Sequence, residues 1–182
     1  MRVSLVVVFA LLWVGRTAFA QELDADPNRI FVTPLKWKSV AGGSRDKSAN
    51  GTLAILYAEG VYAEVTGAFV KRGGKQQIGL NLKDGFVVRL GTWNRIEDSD
   101  LIRVESQETL RSPEEESKLD GPLTVRTCRL ELPSPVHIAD AIVCKDLMVV
   151  RPQSTIDLSG FPSIVRHLVE AKKNGHEPSG SQ

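Results

Sequence analysis

Between residues 52 and 107, apolar and polar side chains alternate in short runs separated by turn residues, the pattern of antiparallel strands joined by hairpins. The runs 52–57, 61–72, 75–82, 86–96 and 101–107 predict five strands. Between them stand Ala58-Glu59-Gly60, Gly73-Gly74, Lys83-Asp84-Gly85 and Glu97-Asp98-Ser99-Asp100. Each connection offers glycine for positive φ or a short acidic side chain for local capping.

Two of these hairpins read as copies. Glu59-Gly60-Val61 matches Asp84-Gly85-Phe86 at an offset of 25, and Gly67-Ala68-Phe69 matches Gly91-Thr92-Trp93 at an offset of 24. The residue lost from the second copy reverses strand parity. Val61, Ala63, Val65, Gly67 and Phe69 share one face, whereas Trp93 falls out of step with Phe86, Val88 and Leu90. A β-bulge near Gly91 is therefore expected to return Trp93 to their face. On that reading Phe69, Phe86 and Trp93 line the interior, as core or as the wall of a site for a small apolar ligand, and Tyr62 points outward. Repeated hairpins imply an up-and-down meander that closes into a barrel or is covered on one face.

Gly91-Thr92-Trp93 resembles the Gly-x-Trp element of lipocalin-like and avidin-like barrels. The likeness spans three residues and lies in the fourth strand of the meander, whereas lipocalin-like chains carry it in the first. It implies a barrel with a tryptophan packed in its core.

In the flanks, 30–40 reads as one strand interrupted by Pro34, and 41–50 as a loop. The stretch around Pro113-Glu114-Glu115-Glu116 lacks alternation and reads as a solvated acidic loop. Strands are predicted over 123–132, carrying Cys128, and 141–151, carrying Cys144. Near the end the period changes. Ile164, Val165, Leu168 and Val169 recur at helical spacing, with Pro162 in the first turn and Asn174-Gly175 as a stop, so a helix is expected over 161–173. The predicted fold is mostly β, an antiparallel meander or small barrel of about 7–9 strands with a C-terminal α-helix.

The N-terminus changes the picture of where this fold works. A basic Met1-Arg2, an apolar run from Val3 to Val14 and the small residues Ala18 and Ala20 before Gln21 have the form of a cleavable secretory signal. The expected organisation is a signal peptide at 1–20, one β-rich domain at 21–175 and a flexible tail at 176–182. No later run approaches the ~20 apolar residues of a membrane helix, so no membrane span is expected and the protein is read as secreted or periplasmic. Loss of Arg2 and Arg16 leaves 21 basic against 22 acidic side chains, which gives no electrostatic basis for binding nucleic acid. An oxidising compartment would join the chain's two cysteines, Cys128 and Cys144, in a disulfide worth roughly 3 kcal/mol by loop entropy.

The chemistry in the chain is sparse. His137, His167 and His176 have no metal-ligand spacing, and no phosphate loop, dinucleotide fingerprint or nucleophile elbow occurs. No cofactor, metal or catalytic residue is assigned, although His137 with Asp140 leaves a hydrolase as an alternative. The leading expectation is a non-enzymatic β-domain that binds a small apolar ligand or an envelope protein. A second is an interaction protein acting through an exposed edge strand or the acidic loop. Asn50-Gly51-Thr52 is a glycosylation sequon, relevant only in a host that glycosylates exported proteins.

Overall fold

A computed structural model describes residues 29–40, 45–73, 77–112, 121–131, 139–158, 169–170 and 174. They form β1 (Ile30–Val32), β2 (Lys38–Ser39), β3 (Lys47–Leu56), β4 (Val61–Lys71), β5 (Gln77–Leu80) and β6 (Phe86–Arg95). The remaining strands are β7 (Leu101–Ser112), β8 (Thr124–Glu131), β9 (Ala141–Val143), β10 (Met148–Val150) and β11 (Thr155–Asp157). Eight of them close into an antiparallel barrel in the order β3-β4-β6-β7-β8-β9-β10-β1, with β1 returning to β3. Closure removes the barrel's edges. Beyond the barrel, β5 pairs with the far end of β4, β11 pairs in parallel with β5, and β2 extends β3.

The five central strands fall where alternation and turn chemistry place them. Gly60 and Gly85, the matching glycines of the two hairpin copies, both have positive φ, at 81° and 77°. Their lack of Cβ is what lets the chain turn into β4 and β6. In the flanks the boundaries move. β3 begins at Lys47, inside the expected loop, where it pairs with the long β4. The strand expected over 141–151 is two strands, β9 and β10, folded back at Cys144-Lys145-Asp146-Leu147 and closed by the Cys144 amide donating to the Leu147 carbonyl at 2.7 Å. β11 is too short to carry a period of its own. Of the expected C-terminal helix only Val169 and Glu170 are described, with Asn174 of its expected stop, so the helix itself lies outside the described residues. Val169 is buried, and the Asn174 amide donates to the Glu170 carbonyl at 3.0 Å. The acidic loop, His137, the signal and the tail lie outside the described residues.

Two apolar clusters hold the molecule together. One draws on seven of the eight barrel strands and is the interior: Phe31, Leu56, Tyr62, Ile102, Val104, Cys128, Leu130, Ile142 and Val149 belong to it, with Trp93 of the eighth strand, β6, packed against them. The other lies on the outer face of β1, β3, β4 and β6. Val65, Phe69, Phe86 and Val88 are packed there beneath β5, Leu35, Trp37, Ile156 and Val169.

This arrangement reverses the expected facing. Phe69 and Phe86 are buried outside the barrel wall, while Tyr62 and Trp93 are inside it. A bulge does occur, but in β7. Thr109 is the extra residue between the pairs Val88↔Leu110 and Arg89↔Glu108, and β6 runs through Gly91 without interruption. Trp93 therefore keeps the parity that places it opposite Phe86. The physical reason is that β4 and β6 are covered on both faces, so apolarity did not distinguish inside from outside.

Candidate functional site

The interior carries a charge where an apolar residue would be ordinary. Glu64 sits in the middle of β4, its side chain 3% exposed, and faces into the barrel with Tyr62. The β4–β6 register sets Arg89 directly opposite it. Arg89 Nη1 donates to Glu64 Oε1 at 3.1 Å, Arg126 Nη1 to Oε2 at 2.7 Å and the Tyr62 hydroxyl to Oε2 at 2.8 Å. Both guanidiniums continue outward. Arg126 Nε reaches the Asp146 carboxylate at 2.9 Å, and Arg89 lies 3.6 Å from Glu108, which also pairs with Arg111 at 2.9 Å. The three acids and three arginines balance in charge. That is how a carboxylate tolerates this depth: its desolvation is offset only where its oxygens are hydrogen-bonded and paired.

As chemistry, the cluster is closed. Both oxygens of Glu64 are engaged, so it is a poor general base. Burial, then the neighbouring Glu64 charge, holds the Tyr62 phenol well above the ordinary tyrosine range. Tyr62 therefore stays a donor. No group of three or more His, Cys, Asp or Glu side chains among the described residues could hold a metal ion. At the centre of the barrel the side chains leave a cavity of about 10 Å³, bordered by Tyr62, Arg126, Cys128, Cys144 and Leu147. That is room for one water at most, far below the roughly 300 Å³ of a small-molecule pocket.

At the other side of the interior, Trp93 donates from Nε1 to the Tyr57 carbonyl at 2.8 Å, and the Arg29 guanidinium lies 5.8 Å from its ring centroid. Trp93 is thus a fixed structural ring. Of the three aromatics expected to line one interior, Phe69 and Phe86 meet in the outer cluster and Trp93 does not join them. The cysteines form the expected disulfide.

No protein-family model, curated protein or solved structure matches the chain. Its reading rests on its own geometry.

Glu64, Arg89 and Arg126 were not singled out in the sequence, though one signal was present. The repeat offset of 25 maps Glu64 onto Arg89, placing an acid and a base at equivalent positions of two adjacent apolar strands. Asp146 had no such signal, because its turn was read as strand.

The tyrosines give a direct test of the packed interior. The chain has two, and both phenols have raised pKa values, Tyr62 as above and Tyr57 through burial, then the charges of Glu170 and Glu59. A raised folded pKa means that stability is fully present below the unfolded value, near 10, and is lost as pH climbs above it. The folded protein should show no phenolate absorbance as pH passes about 10, then gain both phenolates together as it unfolds. One phenolate appearing with the fold intact would mean that its ring is wetter than described.

Proposed function

We propose that the chain is an exported, non-enzymatic β-barrel domain that binds a protein partner of the cell envelope through the outer wall of β7 to β10. The observation that carries this reading is the filled interior. Among the described residues, the space that Tyr62, Cys144 and Leu147 border inside the barrel is about 10 Å³, too small for a ligand, which favours binding at the surface. The part of that surface formed by β1, β3, β4 and β6 is covered by β5, β11 and the segment carrying Leu35 and Trp37. The remainder leaves apolar side chains in water, with Val125 and Met148 each 50% exposed and Leu123 63% exposed. Exposed apolar groups on a sheet surface suit protein recognition. Strand addition is less favoured. The sheet's free edges among the described residues are β2 and β11, of 2 and 3 residues, and β2 carries Lys38.

The Cys128–Cys144 disulfide is consistent with export, and no helix of the described residues is long and apolar enough to cross a membrane. Native mass spectrometry of the protein purified from its own host is expected to show a bound protein. The double variant Val125→Glu, Met148→Glu should lose that partner while melting at nearly the wild-type temperature. Partner capture that survives this variant but fails when Glu114, Glu115 and Glu116 become serine would move the site to the acidic segment. A retained small molecule would favour the ligand reading instead.

A further inference from the structure

The turn between β9 and β10 is held to the barrel by two side-chain clasps at neighbouring register positions. The pairs Arg129↔Val143 and Leu130↔Ile142, continued along the strands, set Cys128 opposite Cys144 and Arg126 opposite Asp146. Both contacts are made: the disulfide in the first case, and two hydrogen bonds from Arg126 Nε to the Asp146 carboxylate, at 2.9 and 3.2 Å, in the second. Directly beneath lies the one interior space described above, and two of its walls, Cys144 and Leu147, belong to the turn. Most of the remaining lining is apolar, including Ala54, Ile102, Val104 and Val149. β9 and β10 are three residues each, the shortest strands of the barrel together with β1. Little ladder therefore resists opening once the clasps are gone.

We propose that the β9–β10 turn is a redox-gated lid over an interior site for a small apolar molecule. The outer-wall reading concerns the oxidised barrel, whose interior space is closed, and the lid concerns the reduced one, so either can fail alone. Cys128 is 1% exposed and Cys144 is half-buried, so an incoming thiolate meets the Cys144 sulfur first. A dithiol reductant attacks Cys144 Sγ and the S–S bond breaks. Cys128 leaves as a thiolate and takes a proton. The reductant's second thiol then displaces Cys144, closing the reductant's own disulfide. Two electrons pass to the protein, and of the two clasps the turn keeps the Arg126–Asp146 pair, whose acid is exposed and so weakly held. Leu147 can then swing outward and free the space beneath it. Closed, the site excludes even benzene, which needs a dry cavity on the order of 150 Å³.

The test compares oxidised and dithiothreitol-reduced protein, with benzene as the probe. Amide exchange at residues 144–148 should accelerate at least roughly tenfold on reduction while residues 61–67 stay protected, since local opening spares the rest of the barrel. Benzene should raise the melting temperature of the reduced protein in a saturable way and leave that of the oxidised protein unchanged. Uniform loss of protection across β3 and β4 would show that the disulfide is only a global staple, and reduced, folded protein that ignores benzene would overturn the site. As a separate check on the site, oxidised Leu147→Ala removes the roof under intact clasps. Saturable benzene binding by that variant upholds the site, and its absence overturns it.

Discussion

Replacing Gly91 by alanine is expected to destabilise the barrel by about 3 kcal/mol or more, a large effect for one methyl group. Gly91 lies in β6 opposite Ser106 of β7. A Cβ there would run into the Glu105 carbonyl oxygen and stand 2.6 Å from Ser106 Cα. These are backbone atoms of the neighbouring strand, so no side-chain rotation relieves the overlap, and the β6–β7 ladder has to open. The two backbones come this close only because Gly91 carries no side chain. Gly79 in β5 is the control, because a Cβ there meets nothing within 4 Å. Gly79→Ala should be neutral or add about 0.5 kcal/mol through reduced freedom of the unfolded chain. Denaturant midpoints for the two variants should move far apart. Equal midpoints would mean that β7 does not approach Gly91 this closely in solution.

The contrast between these glycines also shows what could be read in advance. Strand positions and hairpin turns were legible because alternation and positive-φ residues are local properties, and Gly60 and Gly85 act where their neighbours place them. The assignment of faces was not local. Phe69 and Phe86 lie on an apolar stripe that is buried by the neighbouring β5 together with β11 and residues 35–37, which come from distant sequence. Only the closing pair β1–β10 decides which face is inside, and it joins Val32 to Val150 across most of the chain. The turn at 144–147 was missed for the opposite reason. Cys144 and Leu147 look like strand residues because both pack inward, while Lys145 and Asp146 between them face water. The disulfide was legible from the cysteine count and the signal-like N-terminus alone. Its position directly across the β8–β9 ladder needed the register.

Glu64→Gln is expected to cost about 3 kcal/mol, the low end for breaking a buried ion pair. The low end applies because neither arginine is left bare: Arg126 keeps Asp146 and Arg89 keeps Glu108. For a chain of this size the melting temperature should fall by roughly 6–12 °C. Glutamine preserves the shape and one acceptor oxygen, so the loss measures charge pairing rather than volume. A second measurement separates the cluster's contribution to stability from its part in setting the fold. Replacing Glu64, Arg89 and Arg126 together by leucine or methionine removes three desolvation penalties along with their pairings, and such swaps are often neutral or stabilising. A triple variant as stable as the wild type, beside a weakened Glu64→Gln, would assign the cluster to register. It would pin β4, β6 and β8 to one another at the positions where Glu64, Arg89 and Arg126 meet. The Tyr62 phenol supplies an internal check. Part of its raised pKa comes from the Glu64 charge, so phenolate in the Glu64→Gln protein should appear at lower pH than in the wild type. An unchanged onset together with unchanged stability would mean that Glu64 is not the centre of the network.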